Sequence, residues 1–182
     1  SMITSAGAIT SAANGSWSSP ATWVGGVVPT ACQTVFIASG HTVTVGSAAV
    51  AGNVMINNGG TLVNASGSLT IGCSGKNSAF ENYGTYTCNG GTVTVNGYVA
   101  HRANSTFNHT GGDIIVDGND NGNVATSVGF GGTLFKIETS NLNLTGGKIT
   151  IVDPLVNFSS PFTATSTDIS TSSPAIFSSS HF

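Results

Sequence analysis

The chain has 182 residues, the length of one domain with room for a continuous core. Only 6% of residues are charged, against roughly a quarter in an ordinary soluble domain. Four Lys plus Arg and a net charge of −3 leave no phosphate-reading surface, and no apolar run approaches the roughly 20 residues needed to span a bilayer. Nucleic-acid binding and membrane insertion are therefore excluded as expectations. Glu, Lys, Arg, Gln and Leu are scarce while Gly, Thr, Val and Asn abound, which argues for β structure throughout.

Residues 1–33 are the least repetitive part and read as an N-terminal cap. They hold Trp17 and Trp23 around Pro20, then Pro29, a composition unsuited to a regular ladder but suited to covering the open end of a strand stack. A solvent-facing tryptophan is also a sugar platform, so Trp17 and Trp23 are candidate ligand-binding residues, as is Tyr98, with Tyr83 and Tyr86 the other aromatics considered as platforms.

From Thr34 to residue 158 a phrase recurs: a Gly-Gly corner between short alternating strands. It occurs at Asn58-Gly59-Gly60-Thr61, Asn89-Gly90-Gly91-Thr92, Thr110-Gly111-Gly112-Asp113 and Thr145-Gly146-Gly147-Lys148, with a degenerate copy at Gly131-Gly132-Thr133. Glycine marks a sharp corner and the alternation after it a strand with one buried face. Gly90 to Gly111 is 21 positions and Gly111 to Gly131 is 20, about one coil of a solenoid. The expected fold is an all-β, single-stranded β-helix of about seven coils, right-handed as parallel crossovers are. A two-sheet sandwich is the competing fold. The inward face should hold Val35, Ile37, Val43, Val45, Leu62, Leu69, Ile71, Val93, Val95, Ile114, Val116, Leu142, Leu144, Ile149 and Ile151. Asn58, Asn89, Asn108 and Asn143 at the corners suggest a stacked amide ladder. Residues 159–182, rich in Ser and Thr, read as a final irregular coil or linker.

Two stretches carry a family resemblance. Trp17-Ser18-Ser19-Pro20-Ala21-Thr22-Trp23 through Val28-Pro29, then Val35-Phe36-Ile37, Gly40 and Thr42-Val43-Thr44-Val45, resembles the start of G8-like β-solenoid modules. Residues 106–154, from Thr106-Phe107-Asn108-His109-Thr110-Gly111-Gly112 to Asp153-Pro154, resemble solenoid regions of large secreted surface proteins of gliding, Bacteroidetes-type bacteria. Such regions usually precede a type IX secretion sorting domain. The resemblance implies a secreted or cell-surface location, an adhesin-like role and neighbouring domains in a longer precursor.

Chemistry-bearing constellations are few. Asp117-Gly118-Asn119-Asp120-Asn121-Gly122 has the alternating oxygen ligands of half a calcium loop, so Asp117, Asn119 and Asn121 are candidate calcium ligands, with a plain turn as the competing reading. No other cofactor is expected. Among the acids, Asp113 and Asp153 are the pair placed to meet across coils, near Arg102, Lys136 or Lys148. Isolated charges on a solenoid wall are more often solvated, and the four histidines lack metal-ligand spacing. Cys32, Cys73 and Cys88 read as small buried hydrophobes, with Cys73–Cys88 the bridge considered. Thr-X-Thr pairs at Thr42/Thr44, Thr85/Thr87 and Thr92/Thr94 would order ice only if stacked on successive coils, and the later coils set Asp113/Ile115 and Lys148/Thr150 there. The leading expectation is a non-enzymatic scaffold segment, glycan-contacting in its adhesive role. The alternative is a carbohydrate-binding or catalytic domain of a polysaccharide-processing enzyme, with ice binding behind it.

Overall fold

The computed structural model describes residues 7–73, 78–117 and 135–152, together with three short strand segments beyond them. The chain winds as a parallel β-helix with three walls. A partial coil comes first: β1 (Ile9–Thr10), β2 (Gly15–Ser16) and a 3-10 turn at Pro20–Thr22. Coil one is β3 (Thr34–Ile37), β4 (Thr42–Val45) and β5 (Ala49–Ala51); coil two is β6 (Asn53–Ile56), β7 (Thr61–Asn64) and β8 (Ser68–Ile71). Coil three is β9 (Ser78–Asn82), β10 (Thr85–Cys88) and the first half of β11 (Thr92–His101), whose second half opens coil four. The long strand β12 (Thr106–Asp117) bends to complete that coil. Coil five is β13 (Phe135–Ile137) and β14 (Asn141–Val152). Beyond it, β15 (Val156–Asn157) and β16 (Thr163–Ala164) form an antiparallel pair, and β17 (Ile169–Thr171) stacks in parallel on β13.

The first wall runs β1, β3, β6, β9, the end of β11 and β13. The second runs β2, β4, β7, β10, the start of β12 and the start of β14. The third runs β5, β8, the start of β11 and the ends of β12 and β14. Every pairing along these walls is parallel, which rules out the sandwich. Parallel pairing follows from one strand per wall per coil: each strand meets only its equivalent in the next coil.

All fifteen expected inward residues face the core: twelve are buried, and Leu142, Leu144 and Ile151 pack against them. The middle of the core is aromatic. Phe80, Tyr86, His101, Phe107 and Phe135 are all buried, and the His101 ring lies 3.9 Å from the Phe107 ring, nearly parallel to it. Tyr86 stacks on Phe107 at 5.9 Å and meets Phe80 edge-on at 4.8 Å. In coils three to five these large side chains fill the interior that Val, Ile and Leu fill in coils one and two.

Three expectations require correction. The corner asparagines do not form a buried amide ladder: Asn58, Asn89 and Asn143 are exposed, and Asn108 donates outward to the Thr87 hydroxyl. The buried amides are Asn64 and Asn82 instead. Asn64 donates to the Gly90 carbonyl, and Asn82 donates to the Thr106 carbonyl while accepting from the Gly84 amide. Next, the Gly-Gly phrase is not one corner. Gly59-Gly60 turns from first to second wall, whereas Gly91, Gly112 and Gly147 turn from second to third and stack on one another. Finally, Cys32 and Cys73 are disulfide-bonded and Cys88 is the buried free thiol.

Gly91 shows why the corner column must be glycine. Its φ is +69°, and a Cβ there would run into the Gly67 carbonyl of the coil before. Gly91→Ala should destabilise by about 1–3 kcal/mol, measured by urea unfolding, because backbone cannot yield as a side-chain end can.

The N-terminal cap joins the ladder further than its composition suggests, since β1 and β2 extend two walls by two residues each. An antiparallel bridge, Ser11 to Trp23, folds the segment over coil one. Trp17 and Trp23 are each 2% exposed, their rings edge-to-face at 5.0 Å, and the Trp23 indole N–H donates to the Trp17 carbonyl. Buried in this way, neither offers a face to a sugar.

Candidate functional site on the first wall

The outward side of the first wall gathers charge that the rest of the chain lacks. By register Glu81, Ala100 and Lys136 succeed one another on coils three, four and five. Just past the strands, Tyr83, Arg102 and Glu138 repeat that stacking, held by Arg102 and Glu138 amides donating to the Asn82 and His101 carbonyls. Tyr98 projects from the coil-four strand alongside Ala79. Both glutamates of the chain and two of its four cations thus share one patch.

The small residue in the middle makes the convergence possible. Ala100 points outward by register yet is fully buried, covered by the long side chains around it. Glu81, itself 7% exposed, accepts three hydrogen bonds. Tyr83 donates at 3.2 Å, Tyr98 at 3.0 Å and the Arg102 guanidinium at 2.8 Å. Arg102 also reaches Glu138 at 3.7 Å, and Lys136 pairs with Glu138 at 2.6 Å. The guanidinium lies 5.4 Å from the Tyr83 ring centre, a cation–π contact that fixes the ring.

The electrostatics follow from this pairing. Burial pushes the Tyr98 phenol up and the neighbouring Glu81 charge adds to it, to about 12, so it remains a neutral donor. Burial would raise the Glu138 carboxyl, but the Lys136 ammonium, Arg102 and the Ala103 amide outweigh it and hold the group below its ordinary value. Glu81 spends its oxygens orienting three donors. The network is built for rigid presentation of polar groups and one aromatic ring, of which Tyr83 is 39% exposed.

Of the residues singled out from sequence, Tyr98 and Tyr83 belong to this patch, Tyr86 is buried in the core, and Trp17 and Trp23 lie buried at the opposite end of the described stack. Arg102 and Lys136 pair with glutamates and not with Asp113, which faces Lys148 at 3.9 Å on the exposed third wall. Asp153, Asn119 and Asn121 lie outside the described residues. Asp117 ends β12, half-buried. Among the described residues no group of three or more His, Cys, Asp or Glu is placed to hold a metal, and no helix is long and apolar enough to cross a membrane. The signal that would have found the patch is the outward register of Glu81, which requires knowing how many residues lie between coils.

No protein family, curated protein or solved structure matches the chain.

Proposed function

We propose that this chain is a non-enzymatic β-helical segment of a secreted or cell-surface, adhesin-like protein, a rigid scaffold that contacts glycan through the Tyr83–Arg102–Glu81 patch. The observation that carries this reading is the convergence itself: in a chain that is 6% charged, four charged side chains and two tyrosines, one of them with an exposed ring, are bound into one network. A sugar presents an apolar face and a rim of hydroxyls, and a fixed ring flanked by the partly exposed Arg102 guanidinium complements both. Glu81 has three donors on it and Glu138 two cations beside it, so both are committed to structure and not to proton transfer. The Cys32–Cys73 disulfide supports an oxidising, extracytoplasmic location.

A glycan array and a reducing-sugar release assay test the reading together. Binding without release is expected, and Tyr83→Ala should weaken binding about tenfold, the scale on which one aromatic anchor contributes. Sugar release by the wild type would instead establish the polysaccharide-processing alternative. Binding unchanged in Tyr83→Ala would remove this patch as the contact.

A further inference from the structure

The second wall carries a different surface. Its outward positions form two columns in strict register. One reads Thr42, Thr61, Thr85, Thr106 and Asn141; the other reads Thr44, Val63, Thr87, Asn108 and Asn143. The sequence reading set Asp113/Ile115 and Lys148/Thr150 in line with these threonines, but those residues stand on the third wall. The columns therefore run through five successive coils without one charged or aromatic side chain. The aromatics of these strands, Tyr86 and Phe107, point inward and are fully buried.

We infer that this wall is an ice-binding face. Coils stack about 4.8 Å apart, and alternate residues of a strand lie roughly 6.6 Å apart, so the columns present a regular mesh of hydroxyls, amides and methyls. Only a partner that is itself periodic can meet all five rungs alike, which selects a crystal surface over a soluble ligand. Between crystal surfaces, a polysaccharide is held by aromatic platforms, and this wall has none. Ice needs hydroxyls or amides to join its lattice, methyl groups between them to order water, and no charge to disrupt that order. The mesh is also stiff. The Asn108 amide donates to the Thr87 hydroxyl one coil below, at 3.2 Å, and the side chains behind the wall at Val43, Leu62, Tyr86 and Phe107 are fully buried. This face adjoins the Tyr83 patch across the Gly84 corner but shares none of its residues, so either assignment can fail without the other.

Partitioning of the full chain into a slowly grown ice hemisphere, with recrystallisation assayed in parallel, tests the inference. The wild type should be enriched in the ice and should restrain recrystallisation. Thr85→Tyr, at the centre of the mesh, should lower enrichment at least about tenfold, since a protruding ring in a flat contact also lifts its neighbours away. Thr61→Tyr on the neighbouring coil should do the same, while Tyr83→Ala should leave ice enrichment unchanged. Circular dichroism confirms that each variant is folded. Exclusion of the wild type from ice overturns the inference, as does retention on crystalline cellulose or chitin with exclusion from ice. Undiminished enrichment of both tyrosine variants overturns it as well.

Discussion

Acidification should strip this protein of up to about 5 kcal/mol of folding stability, and the loss should begin well above the range where carboxylates titrate. The cause is His101. Its ring is fully buried between Phe107, Tyr86 and Phe135, with Phe80 edge-on, and its Nδ1 accepts from the Asn82 amide at 3.2 Å. The ring proton therefore sits on Nε2, which has no hydrogen-bond partner. Among the described residues, the titratable groups that act on or stack with this ring are His109 and Tyr86, neither of them a carboxylate. Burial, with the His109 ring adding to it, pushes the imidazole down to about 3. Because the folded value is depressed, the unfolded chain takes up a proton near pH 6.5 that the folded chain refuses until about pH 3. Stability is thus fully present above pH 6.5 and falls as the pH is lowered through that window. At about 1.4 kcal/mol per unit, some 2 kcal/mol should already be gone by pH 5. Urea unfolding at pH 7, 6 and 5 measures this. His101→Phe, which keeps the stacking but cannot take up a proton, should flatten the profile above pH 5. A wild type equally stable at pH 7 and pH 5 would show that the imidazole is accommodated as a cation.

The contrast between His101 and the aliphatic core shows what a periodic sequence reveals. The fifteen inward aliphatics were legible because alternation of Val, Ile and Leu with polar residues has one physical reading, a wall with one side buried. The aromatic and polar interior was not. Ser78-Ala79-Phe80-Glu81-Asn82-Tyr83 shows no clean alternation, because Asn82 and His101 are buried for corner hydrogen bonding and stacking and not for hydrophobicity. The glutamate patch was hidden for a different reason. Tyr83, Arg102 and Glu138 are 19 and 36 positions apart, and only the pairing register shows that both intervals span one coil. The same gap misplaced the threonine columns: Thr92/Thr94 shares a phrase with Thr42/Thr44 but stands on another wall. Local phrase fixed the strand type, whereas wall assignment needed the corner count.

The disulfide carries the second large effect. Replacing Cys32 and Cys73 together with serine should cost about 4 kcal/mol, the loop-closure entropy of a cross-link that spans 41 residues. Cys32 stands at the corner where the cap passes into β3, in a left-handed conformation with φ 68°, and Cys73 stands where coil two ends after β8. The Cys32 backbone also packs so closely on Gly52 that a Cβ there would strike it, which fixes this corner against the hand-over from coil one to coil two. Neither bridged cysteine lies at an inward strand position, and the bridge considered from sequence joined Cys73 to Cys88, whose thiol is in fact free, buried under the Gly-Gly corner and pushed up by that burial. In a solenoid each coil is held by its neighbours, and the terminal coil has only one. A bond from the entry of coil one to the exit of coil two therefore acts where the stack is weakest, at the end beneath Trp17 and Trp23. Thiol titration in denaturant should count one free thiol before reduction and three after it. Hydrogen exchange on the double serine variant should show the loss of protection concentrated in β1 to β8, with β11 and β12 little changed. Uniform loss along the whole stack would mean that the coils unfold as one cooperative unit, and that the clamp stabilises the far walls as much as the cap.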